Sequence, residues 1–361
     1  VWRQERPADT GWGGEEGMKP IVLTVHERPV THVRYNMEGD MLFTCGKDRV
    51  ANAWYAEDGD RLGVFEGHKG VVWACLPSKD TKRLFTVSGD ETCKVWDVQS
   101  GKELFSFTQE TGMRCLDLSL GDRLLATCTD TSFGNKPSVN IHRVSEEILT
   151  ESDLKMFSKP KDPEAKTPDF VTKDVCVMLG HTQKINSCVW GPLNRHIYTC
   201  ADDKTIRVWD PEAGVEVQCV EVHDREVTSL KMGYKRGCLV SCSLDKTAKL
   251  FDSRSMEVIN TFHFPAMIND VDISPIREHI LMAGGQDAEQ VAATAGSEGQ
   301  FEAGFYHAVY GMELGRIGGH FSPINSLSFS PDGRSFATGA EEATVRIHHF
   351  DEDYFTQDTE A

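Results

Sequence analysis

The chain has 361 residues, of which 39% are hydrophobic and 26% charged, as expected for a globular protein of one large or two smaller domains. Its formal net charge of −18 opposes binding to nucleic-acid phosphates, so we expect no direct nucleic-acid partner. No apolar run reaches the ~18 residues of a membrane span, and the N-terminus shows no apolar signal segment. We therefore expect a cytoplasmic protein with no membrane partner, whose 11 cysteines are free thiols.

The first 17 residues differ from the rest of the chain. Residues 1–17 contain two tryptophans and four glycines without a periodic pattern, and we expect a flexible extension. Patterned sequence runs over 18–351 and is interrupted at 145–174 by an insertion rich in charge and proline. We interpret that insertion as an inter-blade surface loop, either a tolerated insertion or a docking or phosphorylation loop. Residues 352–361 form a C-terminal tail.

Three residue types recur through the chain in one register. Each series advances by 42, then 113, then 42 residues; within a unit, aspartate follows histidine by 22 residues and the aromatic follows aspartate by six. The step of 113 leaves room for a degenerate unit and the insertion. The three series are His26, His68, His181 and His223; Asp48, Asp90, Asp203 and Asp245; and Trp54, Trp96, Trp209 and Phe251.

Each unit reads as four short strands. In the second unit the strands are VVWACLP at 71–77, RLFTVS at 83–88, TCKVWDV at 92–98 and ELFSF at 103–107. Four strands in about 42 residues are typical of a propeller blade. Two less regular units at the C-terminal end, beginning near His263 and His320, bring the count to seven. We predict an all-β, seven-bladed β-propeller, closed by residues 21–25 as the outer strand of the last blade.

The repeated His, Asp and Trp have a structural interpretation. A buried indole N–H and a buried carboxylate both need hydrogen-bond partners, and a serine or threonine on the second strand, such as Ser88, would complete a polar network within each blade. A catalytic or metal site is used once, whereas these residues recur four times. No CxxC pair and no nucleotide-binding or hydrolase motif occurs. We therefore expect no catalytic residues, no metal and no cofactor.

Two levels of resemblance follow from these residues. Gly67-His68 with Trp96-Asp97, and Gly180-His181 with Trp209-Asp210, resemble WD-repeat units. More specifically, five segments resemble the i subunit of eukaryotic translation initiation factor three. These segments are 18–48, 52–73, 247–257, 284–307 and 315–351, and the fourth, GGQDAEQVAATAGSEGQFEAGFYH, is the most specific because ordinary propellers do not carry it.

The resemblance implies a non-catalytic scaffold subunit. It implies that the propeller binds the C-terminal helical tail of the b subunit, contacts the g subunit, and supports messenger RNA recruitment and scanning on the small ribosomal subunit. In that family the tail lies on the side of blades five and six. We therefore place the partner-binding site at Gly285, Gln286 and Asp287, where paired glycines would let another backbone approach closely.

Two other classes of protein remain open. One is a general WD-repeat adaptor in signalling or on the ribosome, which would not need the 284–307 segment. The other is a propeller enzyme that uses the central channel. An enzyme would need a single, non-repeated cluster of acids and histidine at the ends of the inner strands, and the sequence offers none.

Overall fold

The computed structural model describes residues 19–131, 134–144, 176–235, 237–285, 301–351 and 354–355. Within them the chain forms seven four-stranded antiparallel sheets. In chain order the strands are β1 (Ile21–Leu23), β2 (Val30–Tyr35), β3 (Met41–Gly46), β4 (Ala51–Tyr55), β5 (Arg61–Phe65), β6 (Val72–Pro77), β7 (Arg83–Ser88), β8 (Thr92–Asp97), β9 (Glu103–Thr108), β10 (Met113–Leu118), β11 (Leu124–Thr129), β12 (Ser138–Arg143), β13 (Cys176–Leu179), β14 (Ile185–Trp190), β15 (Ile197–Ala201), β16 (Thr205–Asp210), β17 (Val215–Glu221), β18 (Val227–Met232), β19 (Cys238–Ser243), β20 (Thr247–Asp252), β21 (Val258–His263), β22 (Ile268–Ile273), β23 (His279–Gly284), β24 (Ala303–His307), β25 (Glu313–Ile317), β26 (Ile324–Phe329), β27 (Ser335–Ala340) and β28 (Val345–His349).

The sheets are the blades of a closed propeller. Blades one to six each use four consecutive strands, starting with β2–β5 and ending with β22–β25, and the innermost strands of successive blades pack against one another in a ring. The seventh blade has the order β1-β28-β27-β26. Ile21 pairs with Ile347 and Leu23 with Val345, so the N-terminal strand completes the last blade. The prediction of a seven-bladed propeller closed by this strand is confirmed.

Burial explains the hydrophobic pattern of the strands. The second strand of each blade lies between two neighbouring blades and is buried on both faces; in β7, every residue from Leu84 to Ser88 is buried. The outermost strands face solvent, and β17 is exposed over most of its length. Near-continuous apolar runs therefore mark the middle strands, while polar residues appear in the outer ones.

The hydrophobic core is divided among the interfaces between blades. At the interface of blades one and two, Phe43 and Phe65 pack with Leu84 and Trp96, and the Phe65 and Trp96 rings meet edge to face at 6.0 Å. Because each blade contributes to two such clusters, losing one blade would expose two apolar faces. The closing strand β1 contributes Leu23 to the cluster between blades seven and one.

Several predicted segments fall outside the described residues. These are the extension at 1–17, the insertion at 145–174, Gln286, Asp287 and most of the tail at 352–361. Of the tail, Tyr354 is described: it is buried, stacks on Phe350 with ring centroids 4.0 Å apart, and its hydroxyl lies 2.9 Å from His279 Nδ1. Tyr354 is thus anchored against blades six and seven. In the described ranges, no helix has the length and apolar character needed to cross a membrane.

Candidate functional site: blade networks and an exposed rim

The histidine of the second blade stands at the centre of a chain of polar contacts. Nδ1 of His68 lies 3.1 Å from Asp90 Oδ2, and Nε2 lies 2.7 Å from Thr86 Oγ1. The Trp96 indole N–H donates to the same Thr86 oxygen at 2.8 Å. One proton arrangement satisfies all three contacts: indole N–H to Thr86 oxygen, Thr86 hydroxyl to Nε2, and Nδ1–H to the carboxylate. This arrangement requires a neutral imidazole.

The same contacts recur in four other blades at the same sequence spacings. In blade five, Ser241 replaces threonine and Phe251 replaces tryptophan, so the chain of contacts has one member fewer. In blade seven, Glu342 replaces aspartate, which the search for a repeated aspartate missed. The pairs are His26 with Asp48 (2.7 Å) and Thr44 (2.8 Å), His181 with Asp203 (2.9 Å) and Thr199 (2.8 Å), His223 with Asp245 (2.9 Å) and Ser241 (2.7 Å), and His320 with Glu342 (2.8 Å) and Thr338 (2.8 Å).

The predicted role of Ser88 is wrong. Ser88 is at the end of β7, and its hydroxyl accepts the backbone N–H of Asp90 at 3.1 Å, which supports the turn. Thr86, two residues earlier and on the same face of the strand, is the residue that reaches His68 and Trp96. A fourth repeated position, 18 residues after each histidine, was the available signal in the sequence.

The carboxylates of these networks are held ionised. Burial raises the pKa of Asp90, but hydrogen bonds from the Thr92 hydroxyl, the Lys69 backbone N–H and His68 outweigh it and hold that pKa well below its usual range. Asp203 and Asp245 have pKa values shifted in the same direction by equivalent partners. Burial is also the largest influence on His68, and it lowers the pKa of that imidazole. The carboxylates of the three aspartates therefore serve as fixed hydrogen-bond acceptors that hold the turns between strands.

The less regular blades use other partners. In blade three, His142 stands in the tryptophan position, and its Nε2 lies 3.0 Å from Thr127 Oγ1 and 3.1 Å from Gln109 Nε2. In blade seven, His348 occupies the tryptophan position and stacks on Phe336 at 4.7 Å. Burial, reinforced by the neighbouring charged groups, lowers the pKa of His348 to about 3, so this imidazole is neutral.

The glycines of the predicted partner site pack against their own chain. A Cβ on Gly284 would lie 2.0 Å from the Met267 carbonyl oxygen, and one on Gly285 would lie 2.8 Å from Phe301 Cδ1. Gly285 is buried and has a φ of +151°, a conformation that favours glycine. The close contacts that we expected from a partner's backbone are therefore made by atoms of this chain. Gln286 and Asp287, the other two predicted contacts, lie outside the described residues.

The structure brings exposed apolar side chains together where blades five and six meet. We call Val258, Ile259, Val309, Tyr310 and Met312 the apolar rim; all five are more than 40% exposed. The Asn260 side chain donates to the carbonyl oxygens of Ala308 and Val309, both at 3.1 Å. These bonds join the start of β21 to the turn between β24 and β25. Neither segment was predicted from the sequence as a binding surface.

One group of residues has the composition of a metal site. The sulfur atoms of Cys115, Cys128 and Cys188 all lie within 4.8 Å of one another, and all three residues are buried. Because the three come from different strands of two blades, no short sequence spacing reveals them. The sequence-based expectation of no metal rested on the lack of a CxxC pair, which does not test an arrangement of this kind.

Comparison with known proteins identifies the family. The family model EIF3I matches residues 18–360. A Danio rerio protein named eukaryotic translation initiation factor 3 subunit I is 35% identical over 344 residues, which cover 95% of this chain and 100% of that protein. The Homo sapiens protein of the same name is 36% identical with the same coverage. Matches of this extent agree with the resemblance seen in the sequence, and the chain belongs to the family of subunit I of eukaryotic translation initiation factor 3.

Proposed function

We propose that this chain is a non-catalytic scaffold subunit of eukaryotic translation initiation factor 3. In this role it binds the C-terminal tail of the b subunit and the g subunit in the cytoplasm, and it supports messenger RNA recruitment and scanning on the small ribosomal subunit. Family membership and the closed propeller support complex membership. The repeated His–Asp pairs support a non-catalytic role, because each one is used in the same structural network.

The apolar rim is the observation that favours a site for the b-subunit tail. Its side chains are large and exposed, with Ile259 at 55% and Tyr310 at 67%, and they come from two blades. An amphipathic helix could cover such residues with its apolar face. Tyrosine supplies large contact area and a hydroxyl at low entropic cost, which suits a binding surface.

Charge at this rim indicates the character of the tail. Glu257 is exposed beside the start of β21, and Glu313 is exposed at the start of β25, where it forms an ion pair with Arg316 at 2.6 Å. The whole chain has a net charge of −18. A helix with basic residues flanking its apolar face would therefore approach favourably, and its binding should weaken as salt is added.

A matched pair of variants tests this site. Ile259→Glu places a charge within the rim, while Val217→Glu places the same charge on the outer strand of blade four at the same 55% exposure. We expect Ile259→Glu to weaken binding of the b-subunit tail at least tenfold, about 1.4 kcal/mol, and Val217→Glu to leave it unchanged. The measurement is calorimetric titration, with melting curves to show that both variants fold.

The predicted partner site at Gln286 supplies the alternative location. Gln286 follows Gly285 in the sequence, and β23 ends at the opposite end of blade six from the turn between β24 and β25. Gln286→Arg adds bulk and charge at the position predicted from the sequence, and we expect it to weaken tail binding if the tail binds at that position. If Gln286→Arg weakens binding and Ile259→Glu does not, the tail lies at the other end of blade six.

The general WD-repeat adaptor remains the competing function. Affinity purification of the tagged chain, followed by mass spectrometry, distinguishes an adaptor from an initiation-factor subunit. We expect the b and g subunits and small-subunit ribosomal proteins to be recovered together. Recovery of signalling proteins without initiation-factor subunits would support the adaptor instead.

A further inference from the structure

The sulfur atoms of three cysteines from two blades lie close together beside the central channel. Cys115 and Cys128 are opposite each other on β10 and β11 of blade three, and Cys188 is on β14, the inner strand of blade four, which packs against β10. We call them the thiol triad. Their sulfur atoms lie within 4.8 Å of one another, so a single atom can contact all three.

The triad is specific to this interface. Register places other residues at the positions of Cys115, Cys128 and Cys188 in the remaining blades. Going round the ring, these sets are His32, Cys45 and Cys75; Ala74, Val87 and Leu116; Ser187, Cys200 and Leu230; Ser229, Cys242 and Val271; Asp270, Ala283 and Leu327; and Ser326, Gly339 and Val33. Among these described positions, three sulfurs meet only between blades three and four.

Small molecules can reach the triad from the channel. Cys115 and Cys188 both line the channel cavity, whose volume is about 530 Å³, while Cys128 lies behind them and is fully buried. A small uncharged molecule that enters the cavity therefore meets the sulfur atoms of Cys115 and Cys188 first, and Cys128 completes the group of three.

The net charge of an ion with three bound thiolates determines which thiophilic ion can be buried at this site. Three thiolates around a monovalent or divalent cation leave a net negative charge in a buried place, and the neighbouring carboxylate of Asp117 adds to that cost. Structural zinc also needs a fourth ligand, and the described residues offer a group of three. A trivalent, thiophilic centre with three sulfur ligands is neutral and complete.

We propose that the thiol triad is a binding site for trivalent arsenic, taken up as arsenous acid through the central channel. The reaction is a substitution with no change of oxidation state. Three S–H and three As–O bonds break, three As–S bonds form, and each hydroxyl leaves with a thiol proton as water. The product carries one arsenic bound by Cys115, Cys128 and Cys188 and no added charge. This binding is independent of the proposed tail site.

The equivalent positions in other blades show which residues can replace the triad cysteines in a test. Serine occupies the Cys115 position in blades four, five and seven, and valine occupies the Cys128 position in blade two. Cys115→Ser and Cys128→Val are therefore compatible with the blade geometry. The control is Cys242→Val, at the same register in blade five, where its neighbours Ser229 and Val271 offer no further sulfur. Reduced full-length protein is incubated with arsenite and studied by native mass spectrometry, arsenic X-ray absorption and melting curves.

We expect wild type and Cys242→Val to retain one arsenic each, with the mass of one arsenic atom added and three hydrogens lost. Absorption should show three sulfur neighbours, and melting temperatures should rise with arsenite. Cys115→Ser and Cys128→Val should lose the three-sulfur signature and at least tenfold in affinity while melting as cooperatively as wild type. Equal retention by all four proteins, fewer than three sulfur neighbours in wild type, or triad-dependent binding of zinc instead of arsenite would overturn the proposal.

Discussion

The single hydroxyl group of Thr86 forms hydrogen bonds with two buried polar side chains. It accepts the Trp96 indole N–H at 2.8 Å and lies 2.7 Å from Nε2 of His68. Because Thr86 and Trp96 are fully or almost fully buried, water cannot replace either contact. The threonine therefore joins the second strand, the third strand and the loop histidine of its blade, and Asp90 extends the connection to the turn.

Replacing Thr86 with valine keeps the shape and removes both hydrogen bonds. Each unsatisfied buried group costs about 1–3 kcal/mol, so we expect Thr86→Val to lower the free energy of unfolding by about 2–4 kcal/mol. Ser88→Ala removes one acceptor for a single backbone N–H and should cost about 1 kcal/mol or less. Urea denaturation of the two variants measures the difference. Equal losses would mean that Thr86 does not connect the network.

The network also shows what sequence spacing can and cannot predict. Constant intervals placed His68, Asp90 and Trp96 together, because a repeated interval reports a repeated position. A constant interval also separates Thr86 from Ser88, because every blade histidine of the network is followed by threonine or serine after 18 residues, whereas Gly46, Ala201 and Ala340 take the place of Ser88 in other blades. The sequence also predicts that Asp245→Ala costs less stability than Asp90→Ala, if each aspartate accepts the indole N–H of its blade, because Phe251 in blade five has no N–H group. The indole of Trp96 bonds to threonine, so that reasoning no longer applies to the aspartates.

Blade six shows how an element keeps its shape without the histidine network. The β23 strand ends at Gly284, and a Cβ there would lie 2.0 Å from the Met267 carbonyl oxygen and 3.0 Å from the Asn269 nitrogen. Both contacts are backbone atoms of the adjoining inner strand and its loop. Tyr306 supplies a polar link, since its hydroxyl donates to the His263 carbonyl oxygen at 3.0 Å. Close backbone packing thus supports this blade.

Alanine at position 284 should therefore disrupt the blade. Backbone cannot move as a side chain can, so we expect Gly284→Ala to cost about 3 kcal/mol, at the upper end of overpacking effects. Gly63→Ala is the control: it lies in β5, where a Cβ would meet nothing within 4 Å, and it should change stability by about 1 kcal/mol or less. Thermal and urea unfolding of both variants, with the soluble yield of each, tests the expectation. A stable Gly284→Ala variant would contradict the tight packing.

At the scale of the whole molecule, the ring depends on residues far apart in the sequence. Blade count and closure could be predicted from sequence because IVLTVHE at 21–27 aligns with LGVFEGH at 62–68 as an outer strand with no blade of its own. The apolar rim and the thiol triad could not, since each needs the contact between two blades. Exposed apolar residues in an outer strand look like ordinary strand residues until their burial is known.

The closing strand gives a prediction with an internal control. Leu23 is 5% exposed and packs in the cluster between blades seven and one, whereas Val22, beside it in β1, is 44% exposed. We expect Leu23→Ala to cost about 2–4 kcal/mol through lost burial and a cavity, and Val22→Ala to cost about 0.5 kcal/mol or less.

Deleting residues 1–24 should lower the melting temperature sharply, because β28 loses its partner strand, while deleting 1–17 retains β1 and should change it little. Melting curves for the four proteins test the closure. Equal stability of the two truncations, or of Leu23→Ala and Val22→Ala, would show that the ring is held closed by the contacts between inner strands alone.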